Sequence, residues 1–117
     1  MGLVRINEKQ AWLCSARIFD DLCTELQNAF AADGSTLAAS MTAVLESKLH
    51  WWSLAELGAD PFQSVVRAVT LVQRQRGDQG PKRLSDLDAY AMFMDRLDAL
   101  CRSLQSDQRA GQLRSPA

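Results

Sequence analysis

Apolar residues in this chain recur every three or four positions in four separate stretches, and residues that cap or break helices separate the stretches. An α-helix has 3.6 residues per turn, so this spacing places the apolar side chains on one face of a helix. Strands that are half buried alternate every second residue instead. The pattern therefore predicts an all-α fold, a four-helix bundle or a related small helical array, with helices at about 8–32, 36–57, 61–76 and 85–105.

The helix boundaries depend on specific capping and breaking residues. Asn7, with Gln10 three positions later, has the spacing of a capping box and predicts the start of the first helix. Gly34 can adopt the left-handed conformation that often ends a helix. Asp60 and Pro61 have the residue types that favour the cap and the first position of the third helix. These signals predict short links between neighbouring helices, as in antiparallel bundles.

Each predicted helix has an apolar face, and together these faces are expected to form the core. The members are Trp12, Ala16, Phe19, Cys23, Leu26 and Phe30 in the first helix, Met41, Leu45, Leu49 and Trp52 in the second, Phe62, Val65, Val66, Val69 and Val72 in the third, and Leu87, Tyr90, Met94, Leu97, Cys101 and Leu104 in the fourth.

Length and composition indicate one soluble globular domain. The chain has 117 residues, of which 47% are hydrophobic, and its net charge is −1. We predict a single helical domain at 1–105 and a polar, frayed tail at 106–117. The three cysteines form no CxxC pair, which suits a reducing cytoplasm, and no apolar run reaches the length of a membrane span.

The residue types needed for enzyme chemistry are sparse. His50 is the single histidine, and Glu46, His50 and Ser53 would share one face of the second predicted helix. That spacing could pair a base with a nucleophile, but no glycine-rich turn lies nearby to bind an oxyanion. No metal-ligand spacing or phosphate-binding motif occurs. We therefore expect no catalytic activity, no cofactor, no metal ion and no small-molecule substrate.

A helix-turn-helix at 45–76 is an alternative interpretation, because a short Gly-containing turn precedes a helix that carries Arg67 and Arg74. Lys82 would add a third cation. The inward positions of such a second helix would however fall on Ser64 and Arg67, which are polar. A net charge of −1 also provides little nonspecific attraction to DNA, so nucleic acid is not the expected partner.

Trp51 and Trp52 are adjacent, and neighbouring side chains of a helix point about 100° apart. Trp52 continues the apolar face of the second helix, which leaves Trp51 for another helix or for a partner protein. Tryptophan is enriched in interface hot spots because it buries a large area with few rotatable bonds. Trp51, Trp12, His50, Arg67 and Arg74 are the candidate interface residues.

These observations predict a cytoplasmic, non-enzymatic regulatory protein that binds and sequesters another protein, in the manner of an antiactivator of a transcription factor or signalling protein. An immunity-type inhibitor or a secretion chaperone is the first alternative, and a DNA-binding regulator is the second. The apolar faces of the first two helices look wider than one neighbour needs, so we also expect a homodimer.

Overall fold

The computed structural model describes residues 1–81 and 87–110 of the chain. Over these residues, helices pack with a small three-stranded sheet, so the fold is rich in α-helix but is not a pure bundle. The helices are α1 (Ala16–Ala32), α2 (Leu37–Ser47), α3 (Ala59–Gln79) and α4 (Leu87–Gln105), the strands are β1 (Gly2–Arg5), β2 (Ala11–Cys14) and β3 (Trp51–Ser53), and a short 3₁₀ helix covers Gln108–Ala110.

The predicted first helix, 8–32, is wrong over its first two turns. The strands β1 and β2 form an antiparallel hairpin there, and Ser15 caps α1 by accepting a hydrogen bond from the amide of Ile18. The Asn7 side chain accepts hydrogen bonds from the amides of Lys9 and Gln10, at 2.8 and 2.9 Å. Asparagine makes such bonds both in tight turns and at helix N-termini, so the same residue type fits either structure.

The predicted second helix, 36–57, is wrong after Ser47. Lys48 and His50 adopt positive φ angles of 57° and 55°, which turn the chain out of the helix. The chain then enters β3, which pairs in parallel with β1 across nearly fifty residues of sequence. This change of structure moves Leu49 from the expected core to the surface, where 74% of it is exposed.

The third and fourth helices lie close to the predicted positions. The helix α3 begins at Ala59 and continues to Gln79, three residues beyond the predicted end, where Gly80 with a φ of 64° closes it. The helix α4 is described from Leu87 to Gln105, while residues 82–86, including Lys82, lie outside the described residues. Within α4, Phe93 and Leu100 are buried although the predicted apolar face omitted them, and Leu87 is exposed although that face included it.

One face of the sheet packs on α1. The two elements lie close together at Gly2, where a methyl group on the Cα would be 2.5 Å from the Cβ of Phe19. The buried residues of this interior, which continues between α1, α3 and α4, include Val4, Trp12, Phe19, Leu22, Leu26, Phe30, Trp52, Phe62, Val65, Val69, Leu97, Leu100 and Leu104.

Of the tail assigned to residues 106–117, the structure describes residues 106–110, and the remainder lies outside the described residues. The described part packs against the domain. The Arg109 guanidinium donates hydrogen bonds to the carbonyl oxygens of Ile6 and Leu54, which follow β1 and β3. The side-chain Nδ2 of Asn7 donates a hydrogen bond of 2.8 Å to a carboxylate oxygen of Asp107. These contacts link the end of the chain to its beginning.

Candidate interaction surfaces

The two faces of the sheet differ in burial. In the pairing register, Val4 is opposite Trp12 on one side and Trp52 on the other, and all three are buried. Leu3 is opposite Leu13 and Trp51, and side chains of neighbouring residues in a strand point to opposite faces. The residues Leu13, Leu3 and Trp51 therefore form one apolar row across the outer face of the sheet, which we call the outer row.

The outer row is accessible to a partner. Trp51 is 51% exposed and Leu13 is 43% exposed, with Leu3 half-buried between them. The next row of the same face contains Ala11, Arg5 and Ser53, which ends the apolar area with a charged and a polar side chain. An apolar centre with a polar rim is the usual composition of a protein-binding surface. The sequence analysis selected Trp51, but it could not join Trp51 to Leu3 and Leu13.

His50 directly precedes Trp51 and fixes the start of β3 through contacts with β1 and α1. Its carbonyl oxygen accepts a hydrogen bond of 2.9 Å from the amide of Leu3, and its ring packs edge-on against Phe19 with centroids 5.8 Å apart. The Nε2 atom lies 3.2 Å from an oxygen of Asp20. Ser53 instead donates its hydroxyl to Glu56, so the Glu46, His50 and Ser53 alignment expected on a helix is not formed. In this arrangement His50 connects β3 to α1.

Trp12 belongs to the core rather than to an exposed surface. It is 4% exposed, and its indole Nε1 donates a hydrogen bond of 2.8 Å to the carbonyl oxygen of Arg96 in α4. The indole thus joins β2 to α4 while satisfying its own polar atom, as a buried tryptophan requires. Trp12 therefore offers little accessible surface to a partner.

Arg67 and Arg74 lie on the outer side of α3, beside a shallow cleft of about 750 Å³. The cleft is lined by Val66, Thr70 and Leu71 of α3 and is closed by Gln105 and Ala110. Arg67 and Arg74 lie on α3, whereas Trp51 lies on β3 and does not line their cleft. The helix-turn-helix at 45–76 is wrong as a structure, because β3 occupies the place of its first helix.

Arg109 is the residue whose role the sequence analysis missed. Its guanidinium donates to the carbonyl oxygens of Leu54, Leu57 and Ile6 at 2.6–2.9 Å and lies 4.0 Å from the ring centroid of Phe62. It also pairs with Asp107, and this hydrogen bonding holds the pKa of the Asp107 carboxyl well below its usual range. The sequence Asp107-Gln108-Arg109 lies in a polar segment, and nothing in its local pattern predicts that these side chains pack against the domain.

The cysteines are buried and reduced. Burial raises the thiol pKa of Cys14 and Cys101 to about 11 and that of Cys23 to about 12. A thiol must ionise to act as a nucleophile or a metal ligand, so these three side chains are poorly suited to either role near neutral pH. In this fold they fill space in the interior.

The part of the chain that the structure describes contains no group of three or more His, Cys, Asp or Glu residues placed to hold a metal ion. Within the same residues, no helix combines the length and the apolar character needed to cross a membrane.

Comparison with known proteins identifies the fold and not the family. Neither a protein-family model nor a curated protein matches this chain. A solved structure is similar: a chain of the complex described as a CdiA-CT toxin from Burkholderia pseudomallei with its cognate CdiI immunity protein. The TM-score is 0.73 at 16% sequence identity, and the match covers 95% of this chain and 100% of the other. The likeness spans the sheet as well as the helices, so the mixed architecture also occurs in a solved protein.

Proposed function

We propose that this protein is an immunity-type inhibitor, which binds a toxin protein and blocks its activity by occupying its surface. The observation that carries the proposal is the shared fold with a chain of a toxin–immunity complex, over nearly the full length of both chains. The expectation of a protein that acts by binding, drawn from the sequence alone, points in the same direction.

The outer row is the surface that best fits such binding. Leu13, Leu3 and Trp51 lie on three adjacent strands, so their positions are set by backbone pairing rather than by flexible loops. A preformed surface loses little conformational freedom on binding, which favours tight association. The half-exposed indole of Trp51 provides the large, rigid side chain that interface hot spots commonly contain.

Other partners remain predictions. An antiactivator of a transcription factor and a secretion chaperone would use a binding surface in the same physical way, and a homodimer would bury the same apolar row. The nature of the captured protein distinguishes these classes: a toxin, a transcription factor or a secreted protein. For the homodimer, sedimentation equilibrium at micromolar concentration distinguishes the 13.0 kDa monomer from a species of twice that mass.

The proposal is tested by capture followed by a growth assay. The tagged full chain is used to isolate its stoichiometric partner from the native cells, and mass spectrometry identifies that partner. The partner is then expressed from an inducible promoter, alone and together with this chain. We expect the partner alone to arrest growth and co-expression to restore it. Trp51→Ala should reduce the rescue, whereas Leu49→Ala, a matched change of an exposed apolar residue outside the outer row, should not.

Two outcomes would overturn the proposal. A partner that binds promoters and leaves growth unchanged would favour the antiactivator. Growth arrest caused by this chain alone would assign it the toxic role in such a pair.

A further inference from the structure

The outer side of α3 carries two arginines that form no salt bridge within the part of the chain that the structure describes. Arg67, Leu71 and Arg74 are spaced by four and three residues, which places them on one face of the helix. Arg67 and Arg74 are exposed, and within residues 1–81 and 87–110 neither forms a salt bridge with an acidic side chain. Arg67 donates instead to the hydroxyl of Ser64, at 3.1 Å.

Two other arginines, Arg76 and Arg109, differ in this respect. Arg76, two positions after Arg74, contacts the carboxylates of Asp21 and Glu25 at 2.6 and 3.2 Å, and Arg109 is paired with Asp107. The charges of Arg76 and Arg109 are thus used within the domain. The cationic side chains at 67 and 74 are left to interact with solvent or with a ligand.

An apolar floor lies between the two cations. Leu71 is 41% exposed, and Val66 lines the same cleft of about 750 Å³. The hydroxyl of Thr70 donates to the carbonyl oxygen of Val66 at 2.8 Å, so it is occupied within the helix. At 1.5 Å of rise per residue, the Cα atoms of Arg67 and Arg74 are about 10 Å apart along the helix axis.

We propose that this cleft binds an acidic and aliphatic segment of the protein partner, in which two carboxylates about 10 Å apart flank a leucine-like side chain. The carboxylates pair with Arg67 and Arg74, and the aliphatic group covers Leu71. Arginine is suited to this role because its planar guanidinium binds a carboxylate through two parallel hydrogen bonds. The inference extends the proposed function and depends on it only for the existence of a protein partner.

A nucleic acid fits the cleft less well. Binding to a phosphate backbone draws its strength from several cations along a track, whereas this cleft has two with an apolar surface between them. The whole chain carries a net charge of −1, which adds no long-range attraction to a polyanion. Two carboxylates lie in the vicinity: Asp33 lines a neighbouring groove that Arg67 and Leu71 also line, and Asp78 follows Arg74 by four residues in α3. Among the described residues, neither carboxylate forms a salt bridge with Arg67 or Arg74.

The test uses a short peptide as a probe of the cleft. The full chain, labelled with ¹⁵N, is titrated with acetyl-Ala-Glu-Leu-Leu-Glu-Ala-amide, with the same peptide carrying Gln in place of both Glu residues, and with a ten-nucleotide oligothymidine. We expect the acidic peptide to shift the amide resonances of Val66, Thr70 and Leu71, and the shifts to weaken as salt is added. The Gln peptide should bind about tenfold more weakly or not at all, because charge-assisted hydrogen bonds are lost.

Charge-reversed variants locate the binding. The double variant Arg67→Glu with Arg74→Glu should weaken the acidic peptide, and also the captured partner, by about tenfold or more. Arg17→Glu with Arg102→Glu is the matched control, since both are exposed arginines that do not line the cleft. Equal circular dichroism spectra and melting temperatures establish that the variants fold alike.

Three results would overturn the inference. The first is that the control variant weakens binding of the acidic peptide as much as the Arg67 and Arg74 variant does. The second is that the Gln peptide binds as tightly as the acidic peptide, and the third is that the oligothymidine binds more tightly than the acidic peptide. These results are independent of the growth assay. If the partner arrests growth but its binding is unchanged by the Arg67 and Arg74 substitutions, the proposed role of the cleft is wrong and the immunity role stands. If its binding is weakened by those substitutions but it does not arrest growth, the immunity role is wrong and the role of the cleft stands.

Discussion

The two faces of the small sheet have similar residues but differ in burial. The inner row of Trp12, Val4 and Trp52 is buried, and the outer row one position away, Leu13, Leu3 and Trp51, faces the surface. A composition that is apolar on both faces would ordinarily indicate a sheet covered on both sides. Here one side is covered by the chain itself, so the other is the place where a partner is expected to complete the structure.

The adjacent tryptophans are expected to show the largest difference between the two faces of the sheet. Trp52→Ala should lower the free energy of unfolding by about 3–5 kcal/mol, because it empties a buried aromatic position next to Val4. Trp51→Ala should lower it by less than about 1 kcal/mol, because half of that side chain already contacts water. Urea denaturation of both variants measures the difference. If the two variants lose similar stability, the two faces of the sheet are not distinct in the way that the register indicates.

Gly2 provides a second test of the inner face. Gly2→Ala should destabilise the fold by about 1–3 kcal/mol, since the added methyl group meets the Cβ of Phe19 and the packing of α1 on β1 must shift. Gly58→Ala is a control for steric contact, because a methyl group there meets no atom within 4 Å; any loss of stability in this variant reports the replacement of glycine at the N-cap of α3. A neutral Gly2→Ala variant would mean that α1 does not lie close against β1.

The helices were predictable because their information is local. The apolar periods of residues 19–30 and 62–72 lie within single helices, and the buried residues of α1 and α3 follow those periods closely. The strands β1 and β3 owe their pairing to contacts between residues 3 and 51, which a local period cannot represent. Leu49 and Trp52 happened to fit the helical spacing of Met41 and Leu45, so the period continued past the point where α2 ends.

The candidate surface shows the same division. The adjacency of Trp51 and Trp52 was visible in the sequence, and it indicated that the two indoles point in different directions. The helical angle of about 100° expected between them is wrong, because both residues lie on β3. The neighbours of Trp51 could not be identified, because they depend on strand pairing. Likewise, the charges of Arg67 and Arg74 were visible in the sequence. That neither forms a salt bridge among the described residues could be recognised only from the fold.

The outer face is tested by binding instead of stability. Trp51→Ala should weaken association with the captured partner by about 2 kcal/mol, the usual threshold for a hot spot, with little change in the melting temperature. Leu49→Ala should change the affinity by less than about 0.5 kcal/mol, because Leu49 is exposed but lies outside the outer row. Isothermal titration calorimetry of both variants decides whether the row or general surface hydrophobicity matters.

The smallest expected effect is a difference between the two faces in how a cysteine placed there changes the pH dependence of the free energy of unfolding. Cys14 lies on the inner face opposite Gly2, and burial raises its thiol pKa to about 11, compared with about 9 for a thiol that water reaches, as in an unfolded chain. Between these two values the unfolded chain releases a proton that the folded chain retains, so the free energy of unfolding falls as the pH rises. From pH 7 to pH 9, Cys14 should contribute a loss of about 0.5 kcal/mol.

Cys14→Ala should remove that part of the alkaline loss, and urea denaturation at pH 7 and pH 9 measures it. The double variant Leu13→Cys with Cys14→Ala moves the thiol to the outer face, where water reaches it in both states. Its ionisation then favours neither state, so this variant should behave like Cys14→Ala alone. If the moved thiol restores the full pH dependence, the outer face is as buried as the inner one, and the surface that we assign to a partner is already occupied by the protein itself.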